Sequence, residues 1–83
     1  MKTIRYSAAA DKALGRMPTK TAELIEGKID LLARDPSSLA NQVKRLRGSS
    51  FLRLRVGDYR VIYTDDFYIL DVLDIGSRGG IYE

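Results

Sequence analysis

The sequence contains no cysteine and no histidine. Without cysteine, disulfides and thiolate chemistry are excluded. Without either residue the usual zinc ligands are missing, and with histidine goes the side chain that most readily exchanges protons near neutral pH. No apolar run approaches the length of a membrane span, and Met1-Lys2-Thr3-Ile4-Arg5-Tyr6 lacks the apolar core of a secretory signal. A cytoplasmic protein with no membrane contact is therefore expected. There are only two prolines, Pro18 and Pro36, and each reads as a helix boundary. Internal repeats, low-complexity tracts and inter-domain linkers are also missing, so residues 1–83 should form one domain with a single modest core.

What is present fits a folded chain. Hydrophobic residues make up 45% of it and charged residues 30%, a balance outside the disordered range. The formal charge of +3 favours an acidic partner, either nucleic acid or an acidic protein.

Lys2 to Tyr6 reads as a short strand. Ser7 is a candidate N-cap for a helix over Ala8 to Met17, where Ala10, Ala13, Leu14 and Met17 make one apolar stripe. Pro18 ends that helix, and Thr19 or Thr21 caps a longer one reaching about Arg34. Its stripe is Ala22, Ile25, Ile29, Leu32 and Ala33, widened by Leu24 and Leu31. Gly27 marks a candidate close approach of two backbones. The short break at Met17-Pro18-Thr19 implies a helical hairpin, and Asp35-Pro36-Ser37-Ser38 stops it. Leu39 to Ser50 reads as loop. Lys44, Arg45 and Arg47 make it the most basic stretch of the chain, either a solvated connector or a phosphate-tracking patch.

Residues 51–82 carry the strongest pattern. Phe51 to Val56 alternates, with Leu52, Leu54 and Val56 on one side and Arg53 and Arg55 on the other. Gly57-Asp58 suits a two-residue hairpin turn with glycine first. That turn sets Val56 opposite Tyr59, Arg55 opposite Arg60, Leu54 opposite Val61 and Arg53 opposite Ile62. Arg53, Arg55 and Arg60 then share one face. Like charges opposed across strands destabilise a sheet, whereas guanidinium forks match phosphate oxygens. One arginine on a half-exposed sheet is an ordinary solvated side chain; three converging ones indicate an anion site. Asp65-Asp66 is expected to turn the chain into a last strand, Phe67 to Ile75, with Asp71 opposite Arg60. Gly76 to Gly80 reads as a loop carrying Arg78. The order β-α-α-β-β-β predicts an α+β fold, a small antiparallel sheet with the helical hairpin on its apolar face and the arginine face uncovered.

A leading strand, a helical hairpin, Leu46-Arg47-Gly48, the run Leu52-Arg53-Leu54-Arg55-Val56-Gly57-Asp58-Tyr59-Arg60-Val61-Ile62-Tyr63 and a closing Gly76-Ser77-Arg78 with Tyr82 resemble the RelE/ParE superfamily of bacterial type II toxin–antitoxin toxins. The resemblance spans nearly the whole chain. It implies a fold like that of microbial RNases and a cognate antitoxin that wraps the toxin, the complex binding operator DNA through the antitoxin. RelE-like members cut mRNA on the ribosome; ParE-like members poison DNA gyrase. For a RelE-like member the resemblance implies a metal-independent endoribonuclease with catalytic residues Arg53, Arg55, Arg60, Arg78 and Tyr82. Two departures stand out. Ser77 occupies a place that is often histidine or basic, and arginines replace the lysines frequent at the strand positions.

Cleavage of this kind is attack by a ribose 2′-OH on the adjacent phosphate. Arginines supply charge stabilisation only, because they do not deprotonate. Arg60 is the expected transition-state contact, with Arg53 and Arg55 on flanking phosphates alongside Lys44, Arg45 and Arg47. Tyr82 is the titratable candidate, and packing at the sheet edge is its alternative role. No cofactor or metal is expected, since Asp58, Asp65, Asp66, Asp71 and Asp74 lack ligand spacing. The readings are a ribosome-dependent mRNA interferase, a non-enzymatic gyrase poison, and a degenerate member that only binds antitoxin and DNA.

Overall fold

The computed structural model describes residues 1–77. The chain runs β1 (Thr3–Tyr6), α1 (Ala8–Arg16), α2 (Thr19–Arg34), a 3-10 segment (Pro36–Gln42), β2 (Val43–Arg45), β3 (Leu52–Val56), β4 (Tyr59–Asp65) and β5 (Ile69–Ser77). The sheet order is β1-β5-β4-β3-β2. The expected α+β architecture is present, with two differences. The sheet has a further strand, β2, inside the stretch expected to be loop, and it is mixed, because β1 runs parallel to β5. Parallel pairing requires a crossover, and the helical hairpin supplies it.

Ser7 joins β1 to α1 and anchors both. Its N–H donates to Val72 O at 2.9 Å and its hydroxyl to Leu73 O at 2.6 Å. The same Oγ accepts from Ala10 N–H at 3.0 Å, capping α1 as its sequence position suggests. α2 differs from expectation at its start. Pro18 is the N-cap and no side chain caps the helix, because Thr19 already lies inside the first turn.

The core lies between the helices and one face of the sheet. Ile25, Ile29, Leu32 and Ala33 of α2 and Ala10 of α1 bury against Leu54, Val56, Val61, Tyr63, Leu70, Val72 and Ile75. Leu31 packs partly against this core, but Leu24 does not join it and is 55% exposed. Gly27 is also exposed, with nothing within 4 Å of where a Cβ would sit, so it marks no close backbone approach. Leu39, expected in loop, is buried through the 3-10 segment.

The β3–β4 register is the expected one, from Val56 opposite Tyr59 to Arg53 opposite Ile62. Gly57 has φ +59°, the left-handed value that the turn requires. The β4–β5 register differs. The turn consumes Phe67 and Tyr68, so β5 starts later and extends through Gly76 and Ser77. A bulge at Leu73 shifts the pairing between Ile62 and Tyr63. Arg60 therefore faces Gly76 rather than Asp71. Asp71 lies opposite Thr64 and is held by Arg5, whose Nε and Nη2 donate to its two oxygens at 2.7 and 3.0 Å.

Candidate functional site

The face of the sheet turned away from the helices carries two adjacent rows of side chains. In one, Lys44 of β2 lies opposite Arg53 of β3, which lies opposite Ile62 of β4 and then Asp74 of β5. In the next, Arg55 lies opposite Arg60, which faces Gly76. Alternation along each strand puts these side chains on one side. Four cations thus form two like-charged cross-strand pairs on three neighbouring strands. Directly opposed side chains stand about 5 Å apart at Cβ, so each pair is a local concentration of positive charge.

The four differ in setting. Lys44 and Arg55 are exposed and Arg53 is half-buried. Arg60 is 6% exposed and Ile62 beside it 1%. The centre of this face is therefore buried rather than uncovered, as suits β4, which has neighbours on both sides. The Arg60 Nη1 donates to Tyr59 O at 3.2 Å and to Gly57 O at 3.5 Å, so the guanidinium is tied back to the turn that orders Arg55 beside it. Arginine keeps its charge throughout the working pH range, so burial here concentrates charge rather than removing it.

The remaining basic candidates are not gathered with these. Arg45 pairs with Leu52, which places it on the opposite side of β2, and exposed Arg47 lies in the β2–β3 connection. Arg78 and Tyr82 lie outside the described residues. Lys44 joins the site because β2 is a strand. At three residues it is too short for alternation to reveal it. Asp74 was not anticipated there. It is half-buried, one position diagonal from Arg60, and its Oδ1 accepts from Ile75 N–H at 2.9 Å. Among the described residues no three acidic, histidine or cysteine side chains are grouped to hold a metal, and no helix is long and apolar enough to cross a membrane.

The model of one protein family, the ParE toxin of the type II toxin–antitoxin system parDE, matches residues 4–82. The chain belongs to the ParE toxin family. Solved structures agree with this ParE-family assignment at the level of fold. The chain resembles the archaeal RelE–RelB complex from Pyrococcus horikoshii OT3 with a TM-score of 0.79 at 26% identity, over 95% of this chain and 97% of that one. It resembles the E. coli DinJ–YafQ toxin–antitoxin complex with a TM-score of 0.77 at 16% identity, over 99% and 98%. The intact E. coli RelBE complex follows with a TM-score of 0.74 at 20% identity, over 93% and 96%. The last two likenesses concern the fold alone. No curated protein matches the sequence of this ParE-family chain.

Proposed function

We propose that this toxin binds mRNA on its cationic sheet face and cleaves it on the ribosome, and that a cognate antitoxin neutralises it in the cytoplasm. The observation that carries the reading is the doubled like-charge pairing, Lys44 with Arg53 and Arg55 with Arg60. Like charges set opposite each other cost sheet stability, and guanidinium and ammonium groups gathered on one face match the phosphates of RNA. In the proposed reaction the 2′-oxygen attacks phosphorus, the bond from phosphorus to the 5′-oxygen breaks, and the pentacoordinate transition state gains negative charge. Arg60, fixed by its turn, and exposed Arg55 meet that charge. Arg53 and Lys44 hold the neighbouring phosphate, and Arg78 adds to the site by family resemblance. Asp74 or Tyr82 accepts the 2′ proton, and water protonates the departing 5′-oxygen. A site without histidine depends on the ribosome to align its substrate, a contribution of roughly 7 kcal/mol or more.

The test is translation in an antitoxin-free cell extract with primer extension on the message. Wild-type protein should cut ribosome-engaged mRNA at defined positions. Arg55→Ala, whose side chain is exposed, should lower cleavage on the order of a hundredfold with the fold intact. Intact message and undisturbed translation with wild-type protein would refute the proposal. The match to a ParE family model favours a second reading, a gyrase poison, and a DNA supercoiling assay then decides for it.

A further inference from the structure

The β4–β5 turn exposes two large aromatic side chains, Phe67 at 84% and Tyr68 at 75%. Their rings meet edge to face with centroids 5.2 Å apart. The turn beneath them is held on several sides. The Asp66 carboxylate accepts from Tyr68 N–H at 2.8 Å and Ile69 N–H at 2.6 Å, and Asp66 N–H donates to Ile69 O at 3.0 Å. Thr3 N–H donates to Tyr68 O at 2.9 Å, and Lys2 pairs with Asp65. Two apolar rings are thus offered to solvent on an ordered support, where binding loses little conformational entropy. Phe67 and Tyr68 lie outside the core that holds the fold together.

The surroundings indicate the partner. Aromatic side chains that stack on nucleic acid bases sit among cations. Here the cations that the β1–β5 pairing brings near the tip, Lys2 and Arg5, are committed to Asp65 and Asp71, and Asp66 adds a negative charge that repels phosphate. The tip also lies about 20 Å along β4 from Arg60, at 3.3 Å per residue, so it is separate from the cationic rows. We infer that the Phe67–Tyr68 tip is a protein-docking knob that enters an apolar cleft rimmed by basic side chains on a ribosomal protein. It gives the toxin a second attachment point beside its grip on RNA. This inference rests on the ribosome-directed reading proposed above.

The experiment compares wild type, Phe67→Ala/Tyr68→Ala and Asp66→Asn by sedimentation with purified ribosomes and, separately, by anisotropy with a short RNA. The double variant should lose ribosome affinity on the order of tenfold or more, as for paired aromatic anchors, and keep its RNA affinity. Asp66→Asn keeps the turn's acceptor oxygen and removes the charge, and should weaken ribosome binding about threefold. A photo-crosslinking p-benzoylphenylalanine in place of Phe67 should label a ribosomal protein. Equal ribosome binding by the double variant, or crosslinking to ribosomal RNA alone, overturns this inference and leaves the nuclease reading standing. Wild-type protein that fails to sediment with ribosomes overturns both.

Discussion

Single side chains divide the work between cohesion and chemistry. Ser7 is the clearest case of cohesion, since one residue bonds β5 twice and caps α1. Ser7→Ala should cost roughly 1–2 kcal/mol in urea denaturation; a change within error would show that water replaces these bonds. On the chemical side, Asp74→Asn separates the two proton-acceptor candidates. If Asp74 takes the 2′ proton, cleavage falls on the order of a hundredfold while RNA affinity holds or rises. An unaltered rate transfers the role to Tyr82. Two tyrosines report on burial. Burial, reinforced by Asp30, Glu26 and Asp11, pushes Tyr6 up to about 12, and burial with Asp65 does the same for Tyr63. A raised value in the folded state contributes stability below the unfolded value of about 10 that is lost as pH rises through 12. Ultraviolet titration should show a late tyrosinate phase near pH 12, smaller in Tyr63→Phe.

At the scale of elements, legibility followed periodicity and turn chemistry. The β3–β4 register was readable pair by pair because strict alternation met a glycine-first turn, and together these determine register; only Phe51, read into the strand, falls outside it. The same logic failed after Asp65. A three-residue tip and a bulge at Leu73 moved every later pairing, and neither leaves a periodic trace. Three of the four cations were legible: Arg53, Arg55 and Arg60 followed from the hairpin, whereas Lys44 needed β2, and β2 exists through pairing with β3 rather than by its own pattern. The β1–β5 contact carries a testable charge effect. Hydrogen bonding from Arg5 holds Asp71 below the usual carboxylate range, and the main-chain N–H groups of Ile69 and Tyr68 do so for Asp66. Depressed values stabilise the fold above the ordinary aspartate value of about 3.9, and that contribution disappears as pH falls through the folded values. Acid unfolding should therefore begin below about pH 4, and Asp71→Asn should flatten that limb of the stability curve.

The whole molecule separates its duties by surface. One side of the sheet is consumed by the core, the other gathers cations, and the β4–β5 end carries aromatics. Because the far side is buried only at its centre, around Arg60 and Ile62, charge changes at its exposed positions, Lys44 and Arg55, should leave folding largely untouched. Arg55→Glu should shift the denaturation midpoint little, or raise it by relieving repulsion from Arg60, while abolishing RNA binding; a marked loss of stability would mean that the cationic rows hold the fold as well. The sheet order has a consequence for synthesis. Among the described residues, β1, residues 3–6, pairs solely with β5, residues 69–77, the strand farthest from it in sequence. A nascent chain released early has its cationic hairpin but no β5 to close the sheet. Translation that stops before residue 69 therefore yields a fragment that holds every cation of the two rows but not the strand that completes the sheet beneath them.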